Sequence, residues 1–198
     1  MSEIICVTSR KLCKTDFLIR VEEIAQAGPK AVILREKDLA PEEYLLLAEK
    51  VSEICEKHGT TCILHGPAAV RVPWCSAIHL PITDLRELGE NEKKRFRILG
   101  ASCHSAEEAV FAEKAGCTYI TAGHVFDTDC KKGLPGRGLT FLRGVCDAVS
   151  IPVYAIGGID KNNYAEVMNC GAAGACVMSG LMTCDAPRAY MEGFENEL

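Results

Sequence analysis

Eight short apolar runs, separated by helix-like segments, limit this chain more than any other feature. They are "IICVT" (4–8), "AVILR" (31–35), "TCILH" (61–65), "AIHL" (77–80), "ILGAS" (98–102), "YITAG" (119–123), "VYAIGG" (153–158) and "GACVMS" (174–179). Most are continuously apolar rather than alternating. That is the pattern of strands covered on both faces, as in a parallel sheet. Parallel neighbours need crossover connections, and the intervening segments have helical character. The clearest is 41–58, with Pro41 at its start, Glu42 and Glu43 in the first turn, and Gly59 as a stop. Segment 105–116 carries Ser105 as N-cap and Glu108 at the capping-box position, and 160–171 repeats the design with Asp160. Weaker helical patterns cover 15–28, 83–94, 139–149 and 185–197, while 67–73 is too short for a full crossover helix.

Eight strand–helix units predict a single-domain (β/α)8 TIM barrel spanning 1–198. A doubly wound open sheet is the rival. Against it, no Gly-rich dinucleotide turn follows the first strand. No linker-like stretch or shift in composition divides the chain.

Charge and cysteine content narrow the function classes. The formal net charge is −5, which gives general nucleic-acid binding no electrostatic support. A small anionic substrate remains open, because local cations override net charge. No apolar run reaches the ~18 residues of a membrane span. The first residues read as a strand rather than a leader, so a cytoplasmic location is expected. The twelve cysteines include no C-x-x-C pair, and many sit within apolar runs, as Cys6, Cys62 and Cys176 do. They are expected to be reduced and structural. No H-x-H or H-E-x-x-H spacing suggests zinc.

Function in such a barrel sits at the C-terminal strand ends. Those ends present Arg35 and Lys37, then His65-Gly66, Asp84, Ser102 and His104, then His124, Thr128, Lys131 and Lys132. They finish with Gly157-Gly158 and with Met178-Ser179. Glycines after the last two strands, with the Ser179 hydroxyl, suit a phosphate. Plain tight turns would look the same. Arg35 and Lys37 alternate along their strand and so share a side, fit for a second anionic group. Equally, they suit a solvated turn with Glu36 paired locally. His124, at a barrel lip after a glycine, suits proton transfer or a structural hydrogen bond. His79 lies inside a strand and reads as core, His65 as a pocket liner, and His58 as a helix-end cation.

The segments "ILREKDL" (33–39), "AIHLPITDL" (77–85), "LGASCHSAEEA" (99–109), "TAGHVFDTDCKKG" (121–133), "VYAIGGI" (153–159) and "GAAGACVMSGLM" (171–182) resemble the thiamin phosphate synthase / TenI superfamily. The resemblance covers nearly the whole chain. It implies a TIM barrel acting on thiamin precursors. The synthases of that superfamily join a pyrimidine diphosphate to a thiazole phosphate with Mg²⁺ on acidic residues.

This chain departs from the synthase pattern. His65-Gly66 stand where the synthases have Asn-Asp, and "HLPITD" keeps Asp84 but not the usual Gly-Gln. His124 replaces a Pro and Cys130 a Thr, whereas Thr128 and Lys131 are retained. The run "GHVFDTDCKKGLPGRG" is closer to TenI-type thiazole tautomerases. That resemblance implies a cofactor-free isomerase with His124 as acid–base catalyst. Its substrate would be a 2-carboxy-4-methylthiazol-5-ylidene ethyl phosphate, becoming the aromatic carboxythiazole phosphate. Arg35, Lys37, Ser102, Thr128, Lys131, Gly157, Gly158, Met178 and Ser179 would bind it. The alternatives are a Mg²⁺-dependent thiamin phosphate synthase, with Asp84 toward the metal, and a non-catalytic thiazole-phosphate-binding regulator. Neither membrane nor nucleic-acid partners are expected, and homo-oligomerisation is left open.

Overall fold

A computed structural model describes residues 3–131 and 133–195. Lys132 lies outside the described residues, as do the side chains of Ala68 and Cys130. Eight parallel strands close into a barrel in chain order, with β8 pairing back onto β1. They are β1 (Ile4–Val7), β2 (Ala31–Leu34), β3 (Thr61–His65), β4 (Ala77–Pro81), β5 (Ile98–Cys103), β6 (Tyr119–Gly123), β7 (Val153–Ile156) and β8 (Gly174–Val177). Around them run α1 (Phe17–Ala27), α2 (Pro41–Lys57), α3 (Pro67–Val70), α4 (Ile82–Glu87), α5 (Glu90–Lys93), α6 (Ala106–Lys114), α7 (Gly138–Ala148), α8 (Tyr164–Met168), α9 (Ser179–Thr183) and α10 (Pro187–Glu195). The predicted barrel is the observed fold.

The continuous apolar runs are explained by two cores. One face of each strand fills the barrel, where Ile5, Val7, Ile33, Ile63, Tyr119, Tyr154 and Cys176 pack together. The other face meets the helices, through residues such as Cys6, Val32, Leu34, Leu64, Ile78 and Ile120. Helix α2 buries Tyr44, Ala48, Val51 and Cys55 against this outer layer, a stripe at helical spacing. Its first turn is closed by Glu43, which accepts the Ala40 N–H at 3.2 Å. The eleven described cysteines are all free thiols. Burial pushes Cys103 and Cys117 up to about 12, so both are neutral packing groups.

Three elements differ from expectation. The predicted helix at 160–171 begins only at Tyr164. Asp160 accepts the Asn162 N–H at 2.8 Å and Asn163 accepts the Asp160 N–H at 3.0 Å, so these side chains build a turn before the helix. The predicted helix at 83–94 is split in two at Leu88–Gly89. The seventh strand stops at Ile156, because Gly157 (φ 103°) and Gly158 (φ 66°) turn the chain away with dihedrals an L-residue rarely adopts.

Candidate active site

The mouth of the barrel has a cationic corner at the end of β2. Three consecutive residues follow the strand there, and they have different partners. The Thr8 hydroxyl accepts the Arg35 N–H at 3.0 Å and donates to the Glu36 carboxylate at 2.7 Å. Glu36 also accepts the Arg10 backbone N–H at 3.1 Å and is only 5% exposed. Glu36 therefore ties the β2 end to the β1 end. The Lys37 amine is held below its ordinary pKa, first by burial and then by Arg35 and Lys131, with Asp84 opposing them. Four residues from three separate parts of the sequence thus meet in one electrostatic environment, with Arg35, Lys131 and Asp84 each acting on the Lys37 amine. Three of them are cations, a natural seat for a multiply charged anion.

Next to this corner the barrel interior turns polar. His65 and His79 are register partners on β3 and β4, with stacked rings 5.7 Å apart. His79 Nδ1 lies 2.9 Å from the Tyr119 hydroxyl, and its Nε2 lies 2.8 Å from the Ser102 hydroxyl. Burial, helped by the positive charge of Arg35, pushes His79 down to about 3. His65 falls to about 2, again mainly by burial, with His79, Lys37 and Arg35 adding to it. Both imidazoles are neutral around pH 7. His79 is the core residue its place in a strand suggested, yet it is bonded directly to Ser102, one of the candidate binding residues. Tyr119 and Glu36 were not among those candidates. Nothing local marks Tyr119, and Glu36 is distinguished only by standing between two cations.

The other side of the mouth is built from backbone. The β6–α7 segment folds down onto β7, with Val125 N–H on the Ile156 carbonyl at 2.9 Å and Phe126 N–H on the Gly157 carbonyl at 3.0 Å. A methyl group on Gly157 would collide with His124, whose Cα would be only 2.8 Å away. One on Gly158 would collide with the Asp127 carbonyl and with Phe126 Cβ at 2.8 Å. The two glycines are thus required by close packing, whatever they bind. His124 places Nε2 3.2 Å from the Leu134 carbonyl, which requires that nitrogen to be the donor. Asp127 accepts the Gly136 N–H at 2.7 Å and closes the loop. Thr128, Lys131, Gly133 and Leu134 line a cavity of about 470 Å³ in this segment. Ser179 opens α9 beyond β8, and its carbonyl accepts the Thr183 hydroxyl at 2.8 Å. His104 sits at the β5 end with Nδ1 2.8 Å from the Gly123 carbonyl.

A family model described as thiamine monophosphate synthase matches residues 4–181. The chain belongs to that family. It is 32% identical over 192 residues to thiamine-phosphate synthase 2 of Streptococcus pneumoniae, covering 92% of this chain and 88% of that protein. It is 32% identical to the thiamine-phosphate synthase of Fusobacterium nucleatum, with 91% and 89% covered. A solved thiamine phosphate pyrophosphorylase from Pyrococcus furiosus superposes with a TM-score of 0.83 at 29% identity, covering 98% of this chain and 94% of that one.

These relatives overturn the expectation of a thiazole tautomerase. They carry the names of transferases rather than isomerases, and none is named a tautomerase. The structure also gives His124 a part in its own loop. Its Nε2 is a hydrogen-bond donor to the Leu134 carbonyl. Its place at the strand lip is equally explained by packing over Gly157.

The residues can be tested against the Mg²⁺ that the synthase pattern implies. Among the described residues, no group of three or more His, Cys, Asp or Glu side chains converges, so no all-protein cage exists. Mg²⁺ is commonly held by one or two carboxylates, with substrate phosphates supplying the rest. Asp84 meets that demand. It lies in the first turn of α4, half-buried, close enough to Lys37 to act on it, and its Oδ1 accepts the Thr83 hydroxyl at 3.2 Å, which leaves further lone pairs. The residues fit an ion shared with substrate.

Proposed function

We propose that this protein is a thiamine-phosphate synthase, joining a hydroxymethylpyrimidine diphosphate to a thiazole phosphate. The observation that carries the reading is the corner where Arg35, Lys37 and Lys131 act together beside Asp84, in a chain whose relatives are named for this activity. The ring nitrogen of the thiazole would form a bond to the exocyclic carbon of the pyrimidine. The C–O bond to the diphosphate would break, with its electron pair leaving on the diphosphate. The barrier to such a step is lowered by preorganised positive groups where the charge collects.

In this reading Arg35 clamps the diphosphate through its planar fork, and Lys37 and Lys131 add point charges. Burial first, and then the neighbouring Arg35 and Lys131, lower the Lys37 pKa, and an arriving anion would relieve the crowding by those cations. Ser102 contributes a hydroxyl to the same anion. Gly157, Gly158, Met178 and Ser179 hold the thiazole phosphate on the backbone-built side, and Thr128 belongs to the loop closing over both. Asp84 would hold Mg²⁺, which when bound supplies charge neutralisation at the departing diphosphate.

The deciding experiment incubates the protein with both substrates and Mg²⁺ and measures thiamin phosphate by HPLC, with an EDTA control. Product that requires the protein and is suppressed by EDTA is expected. No product at saturating substrates overturns the reading.

A further inference from the structure

The polar chain inside the barrel has a direction, and the direction follows from hydrogen-bond accounting. Tyr119 is 6% exposed, and burial raises its phenol well above the ordinary value, so it keeps its proton. That proton needs an acceptor, since a buried unsatisfied O–H is costly. Among the described residues, the partner within reach of the Tyr119 hydroxyl is His79 Nδ1 at 2.9 Å. If Nδ1 carried the hydrogen, the phenol would accept and its own proton would be stranded. Nδ1 is therefore the acceptor. A neutral imidazole then carries its hydrogen on Nε2, and His79 is held neutral, pushed down to about 3. Nε2–H donates to Ser102 Oγ at 2.8 Å. The Ser102 hydroxyl proton is left to point elsewhere, and Ser102 is half-buried at the C-terminal end of β5, where the barrel opens.

We propose that Tyr119 and His79 are positioning residues that fix the Ser102 hydroxyl as a hydrogen-bond donor into the barrel mouth. The anion it would serve rests on the synthase reading; the direction of the chain does not. Gly100 is part of the device. It faces the Tyr119 ring across the β5–β6 pair, and a methyl group there would collide with the ring. The missing side chain is what lets the phenol reach under the imidazole. The stacked His65 ring braces His79 from the other side.

The full chain labelled with 15N-histidine gives the first test. Long-range 1H–15N correlation should show His79 as a neutral tautomer protonated on Nε2 around pH 7. An Nδ1–H tautomer, or an imidazolium, overturns the proposal without any variant being made. The second test uses inorganic pyrophosphate and calorimetry. Ser102→Ala and Tyr119→Phe should each weaken binding by about tenfold to a hundredfold, the range for one hydrogen bond to a charged group. The double variant should be no weaker than Ser102→Ala alone, because Tyr119 reaches the anion only through the Ser102 hydroxyl. Additive losses would make Tyr119 a mere packing residue and overturn the relay. Wild type that binds no pyrophosphate and makes no thiamin phosphate sinks the synthase reading, while the tautomer still decides the direction of the chain.

Discussion

The two halves of the barrel mouth are built from different material. From β2 to β5 the lip is made of side chains: Arg35, Lys37, His65, His79, Asp84 and Ser102. From β6 to β8 it is made mainly of backbone, with Gly157 and Gly158 pressed beneath residues 124–127. Side chains on a strand can change partner or charge without moving the chain, whereas a glycine pair under a loop couples any anion site to the packing of that loop. Electrostatics should therefore dominate the first half, and shape the second.

The largest effect should come from the cationic corner. Arg35→Ala should lower kcat/KM for thiamin phosphate formation by about a hundredfold, the scale for losing one preorganised donor at developing charge. Thermal stability should hardly change, since Glu36 rather than Arg35 ties β2 to β1. An Arg35→Ala protein that loses several degrees in Tm but keeps its turnover would reverse the assignment of the two residues.

Gly158→Ala probes the backbone half. A Cβ there would meet the Asp127 carbonyl and Phe126, at a φ of 66° that already disfavours a side chain. The expected cost is about 2–3 kcal/mol of stability, read by denaturant unfolding. If stability survives and only affinity for the thiazole phosphate falls, ligand contact rather than packing explains this glycine.

The two halves were also unequally legible. The strand set was visible because continuous apolar runs reflect burial on both faces, and every strand was found within two residues of its expected end. Arg35 and Lys37 were picked out by strand alternation, although the strand ends at Leu34. Their meeting with Lys131 and Asp84 depends on barrel closure and was not readable from spacing. His79 was readable as core, but its bond to Ser102 needed the β4–β5 register that sets His79 beside Gly100 and Pro81 beside Ser102. Gly157 and Gly158 were read as a phosphate site or plain tight turns, because a close contact with residues 124–127 leaves no trace in local sequence. At His124 the position suggested chemistry, while its hydrogen-bond partner, ten residues on in a loop with no regular period, was not visible from spacing.

The buried histidines make the side-chain half sensitive to acid. His65 falls to about 2 in the folded protein, against about 6.5 for a free imidazole. The folded state therefore resists a proton that the unfolded state accepts. This contribution is complete above about pH 6.5 and is lost progressively as the pH falls toward the folded value. His65→Gln should flatten the decline of Tm between about pH 6.5 and about pH 4, narrowing it by roughly 6 °C or more. Equal slopes in variant and wild type would show that His65 is solvated in solution and does not brace His79.

The smallest effect is expected at His124, where the comparison between the halves is most open to attack. If the backbone half works through shape, its one imidazole at the lip serves the loop and not the reaction. The Nε2–H bond to the Leu134 carbonyl is exposed, and such a bond contributes about 1 kcal/mol or less. His124→Asn keeps a polar side chain at the lip, and kcat for thiamin phosphate formation should fall by no more than about threefold. Its pH–rate profile should keep the wild-type limbs, since no ionisation at His124 is used. A loss of about a hundredfold, with one limb of the profile removed, would place His124 in the proton chemistry and make the second half of the mouth as dependent on side-chain charge as the first.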